Sequence, residues 1–457
     1  MTVTHEPELT FEARDEFRRE PMATQLINLL SSDIDISPLI IDGDWGTGKT
    51  EFCQKLIHKL NLEDNHKVLY IDAFKSDHAD NPLMTILSGV LSLVEDSEKQ
   101  SDLRKKAIPV LRFGAKVFGK AILGHVLKAN ADNLGGELAS ELDCATDEAI
   151  DATVRNLLKD HEEAEANIRA LQDTLASIAS DTPIVIFIDE LDRCRPDFSV
   201  QVLELIKHTF DIPEVKFVLV TNTTQLKAAI NHAYGAGVAA ERYLNKFIKF
   251  KCTLPRRFRK QGDSHLNERD SSVEYFRLLV SQSQSLENSN FSQSNSQELK
   301  LAELLIVKRS LSLREVETFA RHIEIYQQLT QGLNKNTYLG YCYLRIFGIF
   351  TFCFEQEIAE SILDRDINGD DLATYLGLSP SKEWNREIPP RDTLSLIAYF
   401  LVRDIKSLRP KYTVPDEHKA TFSSLETSLF GGWGLDDNQP LDTVVDAIRS
   451  FSLGSKT

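Results

Sequence analysis

Residues 43–50 read Gly43-Asp44-Trp45-Gly46-Thr47-Gly48-Lys49-Thr50, which satisfies the spacing G-x-x-x-x-G-K-T. Glycines so placed let backbone N–H groups wrap phosphate oxygens, and a helix starting there turns its positive end toward the same anion. The flanks carry the rest of the signal. Pro38-Leu39-Ile40-Ile41-Asp42 is a short apolar run of strand type, and Phe52, Leu56 and Leu60 recur at helical spacing after the loop. Strand, glycine loop and helix in that order make a mononucleotide-binding unit. The pattern assigns Lys49 to the β- and γ-phosphates and the Thr50 hydroxyl to Mg²⁺. Asp44, Trp45, Thr47 and Glu51 complete the expected nucleotide-contacting loop, with Gly46 easing its turn.

A second acidic element lies well downstream, at Ile184-Val185-Ile186-Phe187-Ile188-Asp189-Glu190-Leu191-Asp192. Asp189 closes an apolar strand, where it can hold Mg²⁺ through water, and Glu190 is placed to polarise the attacking water. Carboxylates at a buried strand end need cations or hydrogen-bond donors. Helix capping is the plain alternative, and the independent phosphate loop upstream favours the catalytic reading. Arg193 follows at once: it can pair with Asp192 or Glu190, or reach a neighbouring subunit's phosphate. Asn222 ends the next strand, Val215 to Asn222, and either orients the water as a sensor or caps a turn. Cys194 has no histidine at fixed spacing and is not expected to be a nucleophile.

Continuous apolar strands alternating with helices predict an α/β fold whose mostly parallel sheet is covered on both faces. The expected division is a first part of the core at 1–95, a helical insertion at 96–180 and a second part of the core at 181–255. A C-terminal helical lid at 256–355 and a small region of uncertain fold at 356–457 follow. Residues 11–32 read as one helix, and the serine-, asparagine- and glutamine-rich tract 281–298 reads as a flexible loop that buries little. Segment 107–129 mixes apolar residues with lysines; packing against the core or a partner fits it better than contact with a membrane.

Composition bounds the partners. The 457 residues carry 69 acidic and 52 basic side chains, a formal charge of -17, which disfavours coating of nucleic acid. Arg256-Arg257-Phe258-Arg259-Lys260 is the best local basic cluster: a contact for nucleic-acid phosphate, an intersubunit arginine contact, or a solvated start to the lid. Six scattered cysteines with no C-x-x-C pair fit a reducing compartment. With no secretory signal and no long uncharged apolar run, the cytoplasm is the expected location.

Together these segments resemble the KAP family of P-loop NTPases, within the additional-strand (ASCE) class. The family loop G-x-W-G-x-G-K-[ST] is matched by Gly43, Trp45, Gly46, Gly48, Lys49 and Thr50, and its I-D-[DE]-L-D-R-C motif by Ile188 to Cys194. Asp72-Ala73-Phe74 echoes the segment after the second strand, and Tyr243-Leu244-Asn245-Lys246-Phe247-Ile248 a later one in which Asn245 replaces the usual glutamate. Asn222 stands where many relatives carry aspartate. Ser312-Leu313-Arg314 resembles a degraded Asn-Pro-Arg, which makes Arg314 a second sensor of the γ-phosphate. The resemblance implies an ATPase using Mg²⁺, self-association with an arginine borrowed between subunits, and a protein effector or partner. Some bacterial relatives act in phage exclusion, so the implied role is an ATP-driven conformational or assembly switch, including in antiviral defence. An ATP-dependent nucleic-acid motor or loader, or a membrane-peripheral scaffold, are the alternative expectations.

Overall fold

The computed structural model describes residues 9–79, 82–94, 99–103, 105, 166, 168–180, 182–259, 268–366, 369–375, 393–403, 419–431 and 439–452. The chain divides into two compact units, Met1–Pro255 and Arg256–Thr457.

The first unit is built on five parallel strands: β1 (Leu39–Asp42), β2 (Lys67–Asp72), β3 (Ile184–Asp189), β4 (Val215–Thr221) and β5 (Phe250–Thr253). Their order in the sheet is β2-β3-β4-β1-β5, so β4 lies between the strand feeding the glycine loop and the strand ending in Asp189. All six residues of β3 are buried. Side chains alternate across a strand: Val185 and Phe187 join one core with Leu26, Ile27, Phe52 and Leu56, while Ile184, Ile186 and Ile188 join another with Leu83, Leu203, Ile206 and Leu226. The first face is covered by α1 (Glu20–Leu30) and α2 (Lys49–Leu62), the second by α3 (Pro82–Ser92), α4 (Pro196–Thr209) and α5 (Thr223–Tyr234). An apolar strand needs both covers, because either bare face would expose a stripe of branched side chains to water.

The register lines up the carboxyl ends of the strands. Asp42 pairs with Thr221, Asp72 with Asp189, and Asp189 with Val220. Polar residues therefore gather along one edge of an otherwise apolar sheet, the edge where open α/β sheets place their ligands.

The single helix expected over 11–32 is shorter, spanning Glu20–Leu30. Asp15 explains the late start: its carboxylate accepts the N–H groups of Arg19 (2.8 Å) and Glu20 (3.1 Å), and Arg18 sits at φ 50° just ahead. Of the expected insertion, the described helical residues bury Leu103, Leu171, Leu175 and Ile178 in the second core. Segment 107–129 lies outside the described residues.

The second unit is helical after a two-stranded ribbon, Arg257–Phe258 with Arg269–Asp270. Its longer helices are α6 (Ser271–Gln282), α7 (Gln297–Lys308), α8 (Leu313–Thr330), α9 (Leu339–Phe354), α10 (Gln356–Leu363), α11 (Thr393–Arg403), α12 (Lys419–Phe430) and α13 (Gln439–Arg449). The polar tract 281–298 departs from the flexible loop expected of it. It forms two 3-10 turns whose Leu286 and Phe291 are 1% and 2% exposed, and the Ser289 hydroxyl caps the second turn by accepting the Phe291 N–H. Phe400 of α11, Phe430 of α12 and Val444 of α13 share one core with Phe276, Phe319 and Phe350, so these C-terminal helices pack with the preceding ones.

Candidate functional site

The loop between β1 and α2 needs glycine at particular points. Gly46 and Gly48 adopt φ 74° and 80°, the left-handed region where a side chain is strained. A Cβ on Gly43 would meet the Thr47 hydroxyl at 2.8 Å. The Thr47 hydroxyl itself donates to the Asp44 carbonyl at 2.8 Å. The start of α2 has no side-chain cap, and its first intrahelical bond is Phe52 N–H to the Gly48 carbonyl. The N–H groups of Lys49, Thr50 and Glu51 thus form the positive end of a 14-residue helix aimed along the loop.

Lys49 is 9% exposed, and its ammonium donates to the carbonyls of Gly43 (2.7 Å) and Asp44 (3.1 Å). Burial lowers its pKa, opposed by the carboxylates of Asp192, Asp189, Asp42 and Asp44. The Glu51 side chain is committed elsewhere, to Arg14 and Lys55 at 2.7 Å each, so only its backbone remains for the phosphate role expected of it.

Asp189 is 1% exposed at the end of β3. It is hydrogen-bonded to the Thr50 hydroxyl and accepts the Tyr70 hydroxyl (3.1 Å) and the Glu190 N–H (2.7 Å). Burial still outweighs these donors and raises its pKa above the usual carboxylate range. Thr50 and Asp189 bring a hydroxyl and a carboxylate together, the hard oxygen donors that suit Mg²⁺. Among the described residues no group of three His, Cys, Asp or Glu could hold a metal by itself. An ion there would take its other ligands from phosphate and water, the usual arrangement for Mg²⁺ at a nucleotide.

Glu190 follows in the left-handed conformation at φ 59°, an uncommon backbone for a residue with a side chain. Its carboxylate pairs with Arg193 at 2.9 Å across the 3-10 turn Leu191–Arg193. Burial raises its pKa, helped by Asp189, Asp72 and Asp192 and opposed by Arg193. Of the roles open to Arg193 in the sequence, the chain shows this internal pair. Asn222 takes up the capping alternative and adds a contact to the loop. Its side-chain oxygen caps α5, accepting the N–H groups of Thr224 (2.9 Å) and Gln225 (3.3 Å), while its amide donates to Asp44 of the loop at 3.4 Å. Arg314 belongs to the second unit, in the first turn of α8, which is closed by a capping box between Ser312 and Glu315. Cys194 donates to the Glu190 carbonyl at 3.6 Å, and burial pushes its thiol to about 12, so it holds the turn and is no nucleophile.

Several contributors were missed in the sequence. Tyr70 steadies Asp189, and its only signal was a hydroxyl in the apolar run of β2. Asp42 accepts the Thr223 N–H at 2.9 Å and pairs with Lys251 at 2.8 Å, tying β1, α5 and β5 together. Arg195 anchors the turn after β2 through Asp77, with its N–H and Nε each 3.1 Å from the carboxylate. These are contacts over long sequence separations, which spacing rules do not reach. Two arginines of the basic cluster are paired, Arg256 with Asp270 (3.4 Å) and Arg259 with Glu268 (2.9 Å), while Lys260 lies outside the described residues.

The family described as KAP family P-loop domain matches residues 19–330. Among solved structures the chain is similar to PCH-2 of C. elegans at 11% identity and TM-score 0.31, covering 75% of this chain and 69% of that one. It is similar to AMPPCP-bound DnaA from Aquifex aeolicus at 12% identity and TM-score 0.30, covering 98% and 92%. A DNA replication initiation factor aligns at 11% identity and TM-score 0.32, covering 98% and 99%. Likenesses this distant carry nothing about this chain's role. No curated protein matches.

Proposed function

The chain belongs to the KAP family of P-loop NTPases, and on that premise we propose that it binds ATP with Mg²⁺ and hydrolyses it to drive a conformational or assembly switch. The observation that carries this reading is the meeting of Thr50 and Asp189 beside Lys49, with Glu190 next in the chain. In the proposed reaction the loop N–H groups and Lys49 bind the phosphates, and Asn222 and Glu190 orient the attacking water. Glu190, with its pKa raised, takes up the water's proton as the water oxygen bonds to the γ-phosphorus and the bond from that phosphorus to the β–γ bridging oxygen breaks, leaving ADP and inorganic phosphate. Thr50 and Asp189 would hold Mg²⁺, which supplies neutralisation of charge on the β- and γ-oxygens.

Arg314 is the proposed sensor from the second unit, and self-association and a protein effector belong to the same proposal. A place in bacterial antiviral defence rests on the family resemblance alone; phage plating on cells carrying the native or the Lys49→Ala chain tests it. The paired arginines lend no support to a nucleic-acid motor. No described helix is long and apolar enough to cross a membrane. The enzymatic core of the proposal is tested by ATP turnover with and without EDTA: it should require Mg²⁺ and vanish in Lys49→Ala. Turnover that survives both would remove the reading.

A further inference from the structure

Asp192 is the one member of the acidic turn with no part in the reaction above, yet it is held from two sides. The Trp45 indole N–H donates to Oδ2 at 2.5 Å and the Thr221 hydroxyl to Oδ1 at 3.0 Å. One carboxylate thereby joins the phosphate loop, the end of β4 and the turn after β3. The turn is short: Arg193 N–H donates to the Glu190 carbonyl at 3.1 Å, and the Leu191 carbonyl accepts the Ser199 hydroxyl at 2.8 Å. Its next residue, Arg193, grips the Glu190 carboxylate. Two neighbouring side chains of a single 3-10 turn thus hold the phosphate loop and the proposed base.

Trp45 is 50% exposed, so core packing does not account for the position of its ring. Its placement rests on the polar tip, an indole N–H to an ionised carboxylate, which is a strong class of hydrogen bond. Asp192 is also the foremost of the carboxylates that oppose the lowering of the Lys49 pKa by burial.

We propose that Trp45 and Asp192 form a latch through which the phosphate loop positions Glu190, coupling the loop's conformation to hydrolysis. The proposal rests on the ATPase reading. Both are positioning residues, acting on the reaction through the turn.

A double-mutant cycle tests it. Trp45→Phe keeps a ring and deletes the N–H, and Asp192→Asn keeps the shape and deletes the charge. Each should lower kcat about tenfold with KM for ATP within about threefold, and the double variant should resemble a single one, because residues acting as a unit are not additive. A second readout follows the contact itself. With Trp384→Phe and Trp433→Phe leaving Trp45 as the only indole, Asp192→Asn should shift its emission in the folded, nucleotide-free chain. Defects that multiply, a raised KM at unchanged kcat, or an unmoved emission would each overturn the latch. A native chain without turnover would remove the ATPase reading and the latch with it, whereas native turnover with multiplying defects would remove the latch alone.

Discussion

Burial raises the pKa of both carboxylates at the end of β3, and the consequences differ. Glu190 works as a base only when ionised, so kcat should fall as pH drops through a pKa above the ordinary carboxylate range. Arg193 is the cation holding that pKa down. Arg193→Ala should therefore move the acid limb of the kcat profile to higher pH; a limb that stays or moves down would separate Glu190 from the base role. Asp189 affects stability instead. Its folded pKa lies above its unfolded one, so ionisation costs stability as pH rises through the unfolded value, and the cost is fully present above the folded value. Asp189→Asn should thus abolish Mg²⁺-dependent turnover yet raise the melting temperature of the nucleotide-free chain near neutral pH, by about 2–4 °C for each ~1 kcal/mol relieved. A lowered melting temperature would show that the donors Thr50, Tyr70 and Glu190 outweigh burial. At this scale the sequence was most legible in the two motifs, whose Thr50 and Asp189 are hydrogen-bonded beside Lys49, with Glu190 next in the chain. Tyr70, Lys251 and Arg195 were hidden, since each acts on a partner brought near only by the fold.

Elements followed their patterns where one force dominated. The fully buried β3, apolar up to its closing Asp189, could only be an interior strand, and the glycine loop could only join β1 to α2. The start of α1 was misread because Asp15 captures two backbone N–H groups, a local competition that hydrophobic spacing does not register. The tract 281–298 was misread because composition averages over residues, whereas here Leu286 and Phe291 are buried and Ser289 and Asn290 are hydrogen-bonded. Close helix packing gives the element-scale prediction. A Cβ on Gly348 of α9 would lie 3.0 Å from the Ala447 Cβ and 3.1 Å from the Val444 carbonyl of α13. Gly348→Leu should force the two helices apart and cost about 1–3 kcal/mol, read as a lower urea midpoint for the second unit. An unchanged midpoint would contradict that packing.

For the molecule as a whole, the alternation of strands and helices made the α/β core with its parallel sheet readable, whereas the strand order came only with the structure. The helices beyond residue 356 were not readable as part of a larger core, because their anchors Phe400, Phe430 and Val444 are separated by polar sequence. The central claim concerns what the site does with a bound nucleotide. The most direct measurement compares ATP binding and single-turnover hydrolysis in the native chain and in Glu190→Gln. The account predicts near-native Mg-ATP affinity with hydrolysis slowed at least about 100-fold, since removing a general base costs that order of rate. Native single-turnover hydrolysis by a folded, ATP-bound Glu190→Gln chain would contradict it.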